Sequence, residues 1–175
     1  MNNLKTWIAF QLMDFAFKIR DFLRPRRVIL AETGIKRGDY VLDYGCGPGR
    51  YIIPVIELIG ECGMLYAVDS NIFAIKRVQN IALKKQLKNL VAIHSDCETG
   101  LKDDIIDVIL LYDVLHLLNF PEKVLDELHR ILKRDGILSV TDHHMKEEKI
   151  VSRITGNGLF RLEKSGRITY SFKKL

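Results

Sequence analysis

The sequence predicts an α/β fold in which helices cover both faces of one open sheet. Its 175 residues suit a single domain. Strand-like and helix-like segments alternate five times along the middle of the chain, which indicates right-handed βαβ units. The strand-like segments are almost continuously apolar, as is typical of parallel strands buried on both faces. A hairpin pattern near the end of the chain predicts two further strands.

The chain starts with the pattern of an amphipathic helix. Apolar residues recur at steps of three and four until Pro25, which cannot continue a helix. These apolar positions are Leu4, Ile8, Leu12, Phe15, Ile19 and Phe22. We expect one domain over residues 1–175, with this helix in residues 1–27 and the core in residues 28–175.

Strands and helices then follow in turn. A short helix closed by Gly34 comes first. The five segments predicted as parallel strands are residues 40–44, 64–69, 90–96, 105–113 and 136–142. The helical segments between them are residues 50–60, 71–86 and 120–136. Pro121 lies in the first turn of the last helix, and we expect Gly136 to end it.

The end of the chain has a different pattern. A short helix near residues 145–155 is followed by two strand-like runs on either side of Ser165 and Gly166, which is a hairpin signature. We therefore expect the sheet to end in an antiparallel pair of strands.

The composition excludes several classes of protein. Hydrophobic residues make up 47% and charged residues 28%, which is typical of globular chains and not of disordered or collagenous ones. No run of about 18 uncharged residues predicts a membrane span. Cys46, Cys62 and Cys97 form no C-x-x-C pair, so neither a disulfide framework nor a zinc site is predicted. We expect a cytoplasmic protein without a targeting segment or a metal.

The formal charge of +5 is unevenly distributed. Residues 1–27 carry +4 and residues 146–175 carry +5, which leaves −4 for residues 28–145. Basic ends of this kind attract an anionic substrate, a membrane surface or RNA. They equally form a solvated surface that keeps a protein soluble, and both interpretations stay open.

A glycine-rich loop follows the first predicted strand. Gly45, Gly47 and Gly49 stand at alternate positions shortly after Asp43. At the carboxyl edge of an open α/β sheet, such a loop lets a ligand touch bare backbone amides at a helix N-terminus, although a tight turn alone also favours glycine. A dinucleotide fingerprint would need glycine at position 50, where Arg50 stands. The carboxylate ahead of the loop would repel a pyrophosphate and suits a ligand with an ammonium group.

The stretch VLDYGCGPG, residues 41–49, resembles motif I of the class I S-adenosylmethionine-dependent methyltransferases, and the similarity extends from about residue 26 to the end of the chain. The resemblance implies a Rossmann-like doubly wound sheet of seven strands, in the order 3-2-1-4-5-7-6 with the last strand antiparallel. It also implies S-adenosylmethionine as the cofactor. The segment YDVLHLL stands where methyltransferases of planar amino groups have N-P-P-Y or D-P-P-Y. This favours the small-molecule branch, which includes quinone-biosynthesis enzymes.

The resemblance implies cofactor contacts at four places along the chain. The glycine loop would hold the amino-acid part and the ribose, the acid after strand two the ribose hydroxyls, the segment after strand three the adenine, and the end of strand four the region of the methyl group. The implied residues are Asp43, Gly45, Cys46, Gly47, Gly49, Asp69, Ser70, Asp96, Cys97 and Tyr112. Asp69 and Asp96 have simpler alternatives, as the caps of a helix and of a turn.

Acidic and histidine side chains follow strands four and five at the same rim. Asp113, His116 and His143 are candidates for removing a proton from the methyl acceptor, because histidine titrates near neutral pH. The histidines equally suit a packing role. A metal site that joins them or His144 to Asp113 or Asp142 is not predicted, because the spacing of metal ligands is missing.

The leading prediction for function is methyl transfer to a small molecule. Methylation of RNA or of a protein is an alternative that the basic ends favour, and a non-catalytic subunit that binds the cofactor or another protein is a second. The segment between strand five and the hairpin is short, whereas small-molecule enzymes of this family often insert a lid there. The N-terminal helix either covers the pocket, with Arg20, Arg24, Arg26 and Arg27 nearby, or packs on the core.

Overall fold

A seven-stranded sheet forms the centre of the computed structural model, which describes residues 26–175. Its strands are β1 (Tyr40–Tyr44), β2 (Met64–Asp69), β3 (Leu90–His94), β4 (Ile106–Tyr112), β5 (Leu132–Thr141), β6 (Phe160–Ser165) and β7 (Tyr170–Lys174). Their order is β3-β2-β1-β4-β5-β7-β6. Strands β1 to β5 pair in parallel, and β7 is antiparallel to both β5 and β6. The predicted strand order and the antiparallel last strand are confirmed.

Helices cover both faces of the sheet. They are α1 (Arg26–Leu30), α2 (Ile52–Ile59), α3 (Ile72–Lys85), a 3₁₀ turn (Leu115–Leu117), α4 (Pro121–Ile131) and α5 (Glu147–Thr155). Helices α1, α2 and α3 pack on the face that contains Val41, and α4 and α5 pack on the face that contains Leu42. No helix within residues 26–175 is long and apolar enough to cross a membrane. The predicted N-terminal helix lies, up to residue 25, outside the described residues and stays a prediction.

Strand β5 starts earlier than the sequence predicts. Helix α4 ends at Ile131, and Leu132 already has extended backbone angles, φ −73° and ψ 132°. Leu132 is fully buried and pairs with Ile106 of β4, so its burial in the core outweighs another helical turn. Gly136 lies inside β5, where a Cβ would come within 2.5 Å of the Leu132 side chain. The prediction of a helix that continues to Gly136 was wrong.

One carboxylate joins the two ends of the described chain. Glu32, in the turn after α1, accepts hydrogen bonds of 2.9 to 3.1 Å from the backbone N–H groups of Arg167, Ile168 and Thr169 and from the Thr169 hydroxyl. Burial acts to raise the pKa of Glu32, but these hydrogen bonds outweigh it and lower the pKa. The turn between β6 and β7 is therefore fixed to the turn after α1.

Candidate functional site

A cavity of about 280 Å³ lies at the carboxyl edge of the sheet, where the loops after β1, β2, β3 and β4 meet. Ligands of open α/β sheets bind at this edge. The predicted cofactor residues that line it are Asp43, Gly45, Cys46, Gly47, Asp69, Ser70, Asp96 and Tyr112. A second hollow of about 630 Å³ adjoins it between the loop after β3 and the start of α4, and Cys97 lines this hollow. The structure thus brings together residues that the sequence places far apart.

The three glycines of the loop after β1 meet three different needs. All have positive φ, at 77° for Gly45, 51° for Gly47 and 79° for Gly49, a conformation that favours glycine. A Cβ on Gly45 would lie 2.2 Å from the side chain of Val114. Gly47 has nothing within 4 Å of that position, which leaves its backbone open on the cavity wall. Gly49 lines neither of these two hollows. It borders a separate hollow beside α3, and its Cβ position lies 3.0–3.2 Å from side chains of Ile52, Val78 and Ile81.

Asp43 places a buried carboxyl group on the cavity wall. It is 2% exposed, and its Oδ2 makes no hydrogen bond within residues 26–175. Burial, and secondarily the charge of Asp69, raise the pKa of Asp43 to about 7, while Arg26 acts to lower it. A buried acceptor without a donor is costly, so the geometry favours a cationic or hydrogen-bond-donating ligand at this point.

Asp69 connects the glycine loop to the end of β2. Its Oδ2 accepts a hydrogen bond from the Gly47 N–H at 2.8 Å, and its Oδ1 accepts one from the Asn71 N–H at 2.8 Å. The cap of α3 is Asn71 itself, whose side chain accepts from the Phe73 N–H. Burial raises the pKa of Asp69, although these two amides oppose the shift. Each Asp69 oxygen keeps a further lone pair, which is available to a ligand hydroxyl.

The loop after β3 forms the wall shared by the two hollows. Ser95 and Asp96 line both of them. The Tyr44 hydroxyl donates to the Asp96 carbonyl at 3.0 Å and so ties this loop to β1. The Cys97 N–H donates to the Ser95 Oγ at 3.2 Å, so a ligand acceptor would compete with a long hydrogen bond. The Asp96 side chain is exposed at the rim.

Tyr112 lines the cavity with its ring engaged inside the protein. It is 6% exposed, and its hydroxyl lies 2.9 Å from the Ser139 Oγ. Burial raises the pKa of Tyr112 well above its usual range. Because the hydroxyl is already bonded to Ser139, the apolar ring is the part of Tyr112 that suits contact with a ligand.

Asp113 is held in an unusual backbone conformation at the end of β4. Its φ is 56°, which is uncommon for a residue other than glycine, although aspartate adopts it more readily than most residues. The side chain lines the cavity, and its Oδ1 accepts a hydrogen bond from the His143 N–H at 3.1 Å. The Nδ1 of His143 lies 2.6 Å from the same oxygen. Asp113 and His143 thus form an acid–base pair at the cavity wall.

A second acid–base pair lies beside the first but lines neither hollow. Asp142 is 3% exposed, and its Oδ2 lies 2.8 Å from the His116 Nδ1 and accepts from the His116 N–H at 3.0 Å. The ring of His144 lies between the other two imidazoles, with centroid distances of 4.3 Å to His116 and 3.8 Å to His143. Within residues 26–175 no three histidine, cysteine or acidic side chains are grouped to hold a metal ion.

Two residues of the cavity wall were not predicted as cofactor contacts: Tyr51 was not predicted at all, and Arg26 was predicted only as one of several arginines near the pocket. Tyr51 packs edge-on against Tyr112, with ring centroids 5.2 Å apart. The guanidinium of Arg26 lies 5.0 Å above the Tyr51 ring and lines the cavity, whereas the sequence placed it only in a general group of N-terminal arginines. The available signal was position: Tyr51 immediately precedes α2, and a side chain at a helix start is directed back toward the preceding loop.

The charged residues of the cavity are mostly acidic. The carboxyl groups are those of Asp43, Asp69, Asp96 and Asp113, and the cations are Arg26 and Arg50. Such a lining favours a ligand with a net positive charge. S-Adenosylmethionine carries a sulfonium and an ammonium against one carboxylate, and its ribose offers hydroxyl donors. The residues present therefore fit the cofactor that the glycine loop suggests.

Comparisons of sequence agree with this site. A family model described as a methyltransferase domain matches residues 35–166. The ubiquinone/menaquinone biosynthesis C-methyltransferase UbiE of Pseudoalteromonas translucida is 27% identical over 133 residues, which cover 73% of this chain and 52% of that protein. The trans-aconitate 2-methyltransferase of Rhizobium rhizogenes is 27% identical over 134 residues, which cover 77% of this chain and 49% of that protein. The chain thus spans about half the length of these relatives.

A comparison of structures points the same way. The crystal structure of an S-adenosylmethionine-dependent methyltransferase from Aquifex aeolicus superimposes with a TM-score of 0.74 and 26% sequence identity. The match covers 90% of this chain and 96% of that one. The fold is therefore shared, over most of both chains, with a chain of similar length.

Proposed function

Because the chain belongs to the methyltransferase-domain family of class I S-adenosylmethionine-dependent enzymes, we propose that it transfers a methyl group from this cofactor to a small-molecule acceptor. The observation that supports this most is the acidic cavity behind the glycine loop, where the Asp43 Oδ2 is buried without a hydrogen bond from residues 26–175. When bound, the cofactor supplies an activated methyl group on a sulfonium. The protein then has to orient the two reactants and accept one proton.

The binding roles follow from the contacts on the cavity wall. Asp43 would hold the ammonium group, and the open backbone of Gly47 would contact the amino-acid part. Asp69 holds the Gly47 N–H with one lone pair and would hold a ribose hydroxyl with another, so that it would position the loop and the sugar together. Asp96 lies at the rim toward the second hollow, where it would accept from the base.

We propose that Asp113 removes the proton from the methyl acceptor. Its carboxyl group lines the cavity, and its Oδ1 is already held by His143, whose side chain is 43% exposed. The proton that Asp113 takes from the acceptor can leave to solvent, while His143 keeps the carboxyl group oriented through its backbone N–H and its ring. His116 lines neither hollow, and we give it a positioning role through Asp142.

We also propose that the chain is one domain and that residues 1–25 help to cover the site. The support is that Arg26, the first described residue, lines the cavity. Deletion of residues 1–24 would then raise the KM for the acceptor more than the Kd for the cofactor. An unchanged KM and kcat after this deletion would contradict the proposal that residues 1–25 cover the site.

The function is tested by binding and by turnover. Isothermal titration with S-adenosylhomocysteine should give a Kd that Asp43→Asn raises, whereas the exposed control Glu122→Gln leaves it unchanged. Radiolabelled methyl groups should then pass to one of two acceptors that the names of relatives suggest, demethylmenaquinone and trans-aconitate. Absence of S-adenosylhomocysteine binding would refute S-adenosylmethionine as the cofactor. Binding with labelling of RNA or protein, and of no small molecule, would refute the acceptor class.

The proton route has its own test. His143→Gln and Asp113→Asn should lower kcat by about 10²- to 10⁴-fold, the usual contribution of general base catalysis, with little change in the Kd for S-adenosylhomocysteine. The matched control is His129→Gln, because His129 lies far from the cavity and packs on Phe160. A kcat for His143→Gln within twofold of wild type would exclude His143 from the reaction.

A further inference from the structure

We infer that Glu127, acting through Thr99, positions the loop that recognises the purine base of the cofactor and so sets the base specificity of the site. This inference rests on the proposed function. Neither residue lines either hollow, so both act through the loop after β3.

The contact between these two residues is short, buried and doubled. Both the backbone N–H and the hydroxyl of Thr99 donate to the Glu127 Oε1, at 2.8 and 2.5 Å. Thr99 is 6% exposed and Glu127 is 8% exposed. The Thr99 hydroxyl also accepts from the Leu101 N–H at 3.2 Å, which fixes the chain beyond the loop. Hydrogen bonds to an ionised carboxylate are about twice as strong as neutral ones.

Arg130 holds Glu127 in place from the other side. The Arg130 Nε donates to Oε2 and its Nη2 donates to Oε1, both at 2.8 Å, and Nη1 contacts Asp103. Burial acts to raise the pKa of Glu127, but the hydrogen bonds from Arg130 and Thr99 outweigh it and lower the pKa. A buried charge is tolerated only when it is paired and hydrogen-bonded, and here four donors meet one carboxylate.

This contact sets the width of the second hollow. One wall consists of the loop from Ser95 to Glu98, and the opposite wall consists of the start of α4, with Phe120, Lys123 and Val124. Thr99 follows the first wall directly, and Glu127 lies one helical turn beyond the second. The hydrogen bonds between them therefore join the two walls.

The base-binding loop has few other restraints. The Tyr44 hydroxyl holds the Asp96 carbonyl from β1, and the Cys97 N–H makes only a 3.2 Å bond to Ser95. Asp96 is proposed above to accept from the base, the Cys97 N–H is the next donor along the loop, and Thr99 follows both closely in the chain. Loss of the Thr99 contact would leave the loop held only on its strand side, by the Tyr44 hydroxyl and by the 3.1 Å bond from the Ser95 N–H to the Asp69 carbonyl. The donor and acceptor that read the base would then move relative to the ribose site.

The test compares two ligands that differ only in the base. S-Adenosylhomocysteine has an amino group at purine position 6, and S-inosylhomocysteine has a carbonyl there. Their Kd values are measured by isothermal titration for wild type, Thr99→Val and Glu127→Gln. Thr99→Ser keeps the hydroxyl, and Asp126→Asn removes a charge from an exposed position of the same helix. Thermal melting verifies that each variant is folded.

We expect wild type to bind S-adenosylhomocysteine more tightly than S-inosylhomocysteine. Thr99→Val and Glu127→Gln should each reduce this preference, the Kd for the inosine ligand divided by the Kd for the adenosine ligand, by about 3- to 30-fold, the usual range for residues that act through a contact network. Thr99→Ser and Asp126→Asn should keep the wild-type ratio. Equal weakening of both ligands in the folded Thr99→Val variant would mean a merely structural role and would overturn the inference. Failure of wild type to bind either ligand would instead refute the proposed function.

Discussion

Changing the pH across neutrality should change the affinity for the cofactor through Asp43. Burial raises the pKa of this carboxyl to about 7, with a smaller contribution from Asp69. A group with a pKa of about 7 is ionised in roughly 9% of molecules at pH 6 and in roughly 91% at pH 8. If the ligand ammonium binds only the ionised form, the Kd for S-adenosylhomocysteine should be about tenfold higher at pH 6 than at pH 8.

Isothermal titration at pH 6, 7 and 8 measures this dependence directly. At pH 7, titrations in buffers of different ionisation enthalpy should show release of about half a proton for each ligand bound, because about half of the Asp43 carboxyls are protonated beforehand. Asp43→Asn should abolish the dependence and raise the Kd at pH 8 by about 10- to 150-fold, the loss of one charge-assisted interaction. A wild-type Kd that varies less than twofold between pH 6 and 8 would refute this role of Asp43.

Ionisation of Asp43, which should strengthen ligand binding as the pH rises, should destabilise the ligand-free protein. A group whose pKa is raised on folding, here from 3.8 to about 7, costs stability as the pH rises above its unfolded value, and the full cost is present above pH 7. Asp43→Asn cannot ionise, so it should melt at a higher temperature than wild type at pH 8, with the difference closing below pH 4. A variant that melts well below wild type at pH 8 would contradict burial of an ionised group.

Three further substitutions test other contacts. Gly45→Ala should lower the free energy of unfolding by about 1–3 kcal/mol, because its Cβ would meet Val114 at 2.2 Å in a left-handed backbone, and Val114→Ala should restore part of the loss in thermal melts. Glu32→Gln should lower the free energy of unfolding by about 1 kcal/mol at pH 7, because it weakens the hydrogen bonds to the hairpin turn. The difference from wild type should shrink as the pH falls below about 4.5, since a lowered pKa means that folding favours the ionised form. A difference in unfolding free energy that is constant with pH would contradict this role. Tyr112→Phe should destabilise the fold by about 1–2 kcal/mol, because it leaves the buried Ser139 hydroxyl unpaired. The Kd for S-adenosylhomocysteine should stay within twofold of wild type. A larger change in that Kd would mean that the Tyr112 hydroxyl contacts the ligand.

The sequence predicts the sheet well because its signals are local. Strands β1 and β2 occupy the residues predicted for them, since each is an apolar run bounded by a polar or turn segment. The order of the strands comes instead from the motif resemblance, because periodicity does not determine which strands become neighbours. The boundary between α4 and β5 was missed for a related reason. Leu132 continues the helical pattern but is drawn into the sheet by its partner Ile106, 26 positions away.

The site was predicted residue by residue but not contact by contact. The glycine loop and Asp69 carry recognisable spacing, and they do line one cavity. What spacing does not predict is the partner of each group. Asp69 binds the Gly47 amide, and Glu127 binds Thr99 across 28 positions of sequence. Such pairs depend on how the layers of the fold pack, so their residues show no local pattern.

The carboxylate of Glu32 also has a consequence for biosynthesis. Its partners, Arg167 to Thr169, leave the ribosome more than 130 residues after it does. Until they emerge, Glu32 lacks those hydrogen bonds and β5 lacks its neighbour β7, with Phe172 absent from beside Leu138. A nascent chain that stalls before residue 166 would therefore expose an unpaired apolar strand, a natural target for chaperones. Completion of this sheet has to wait for the synthesis of β7.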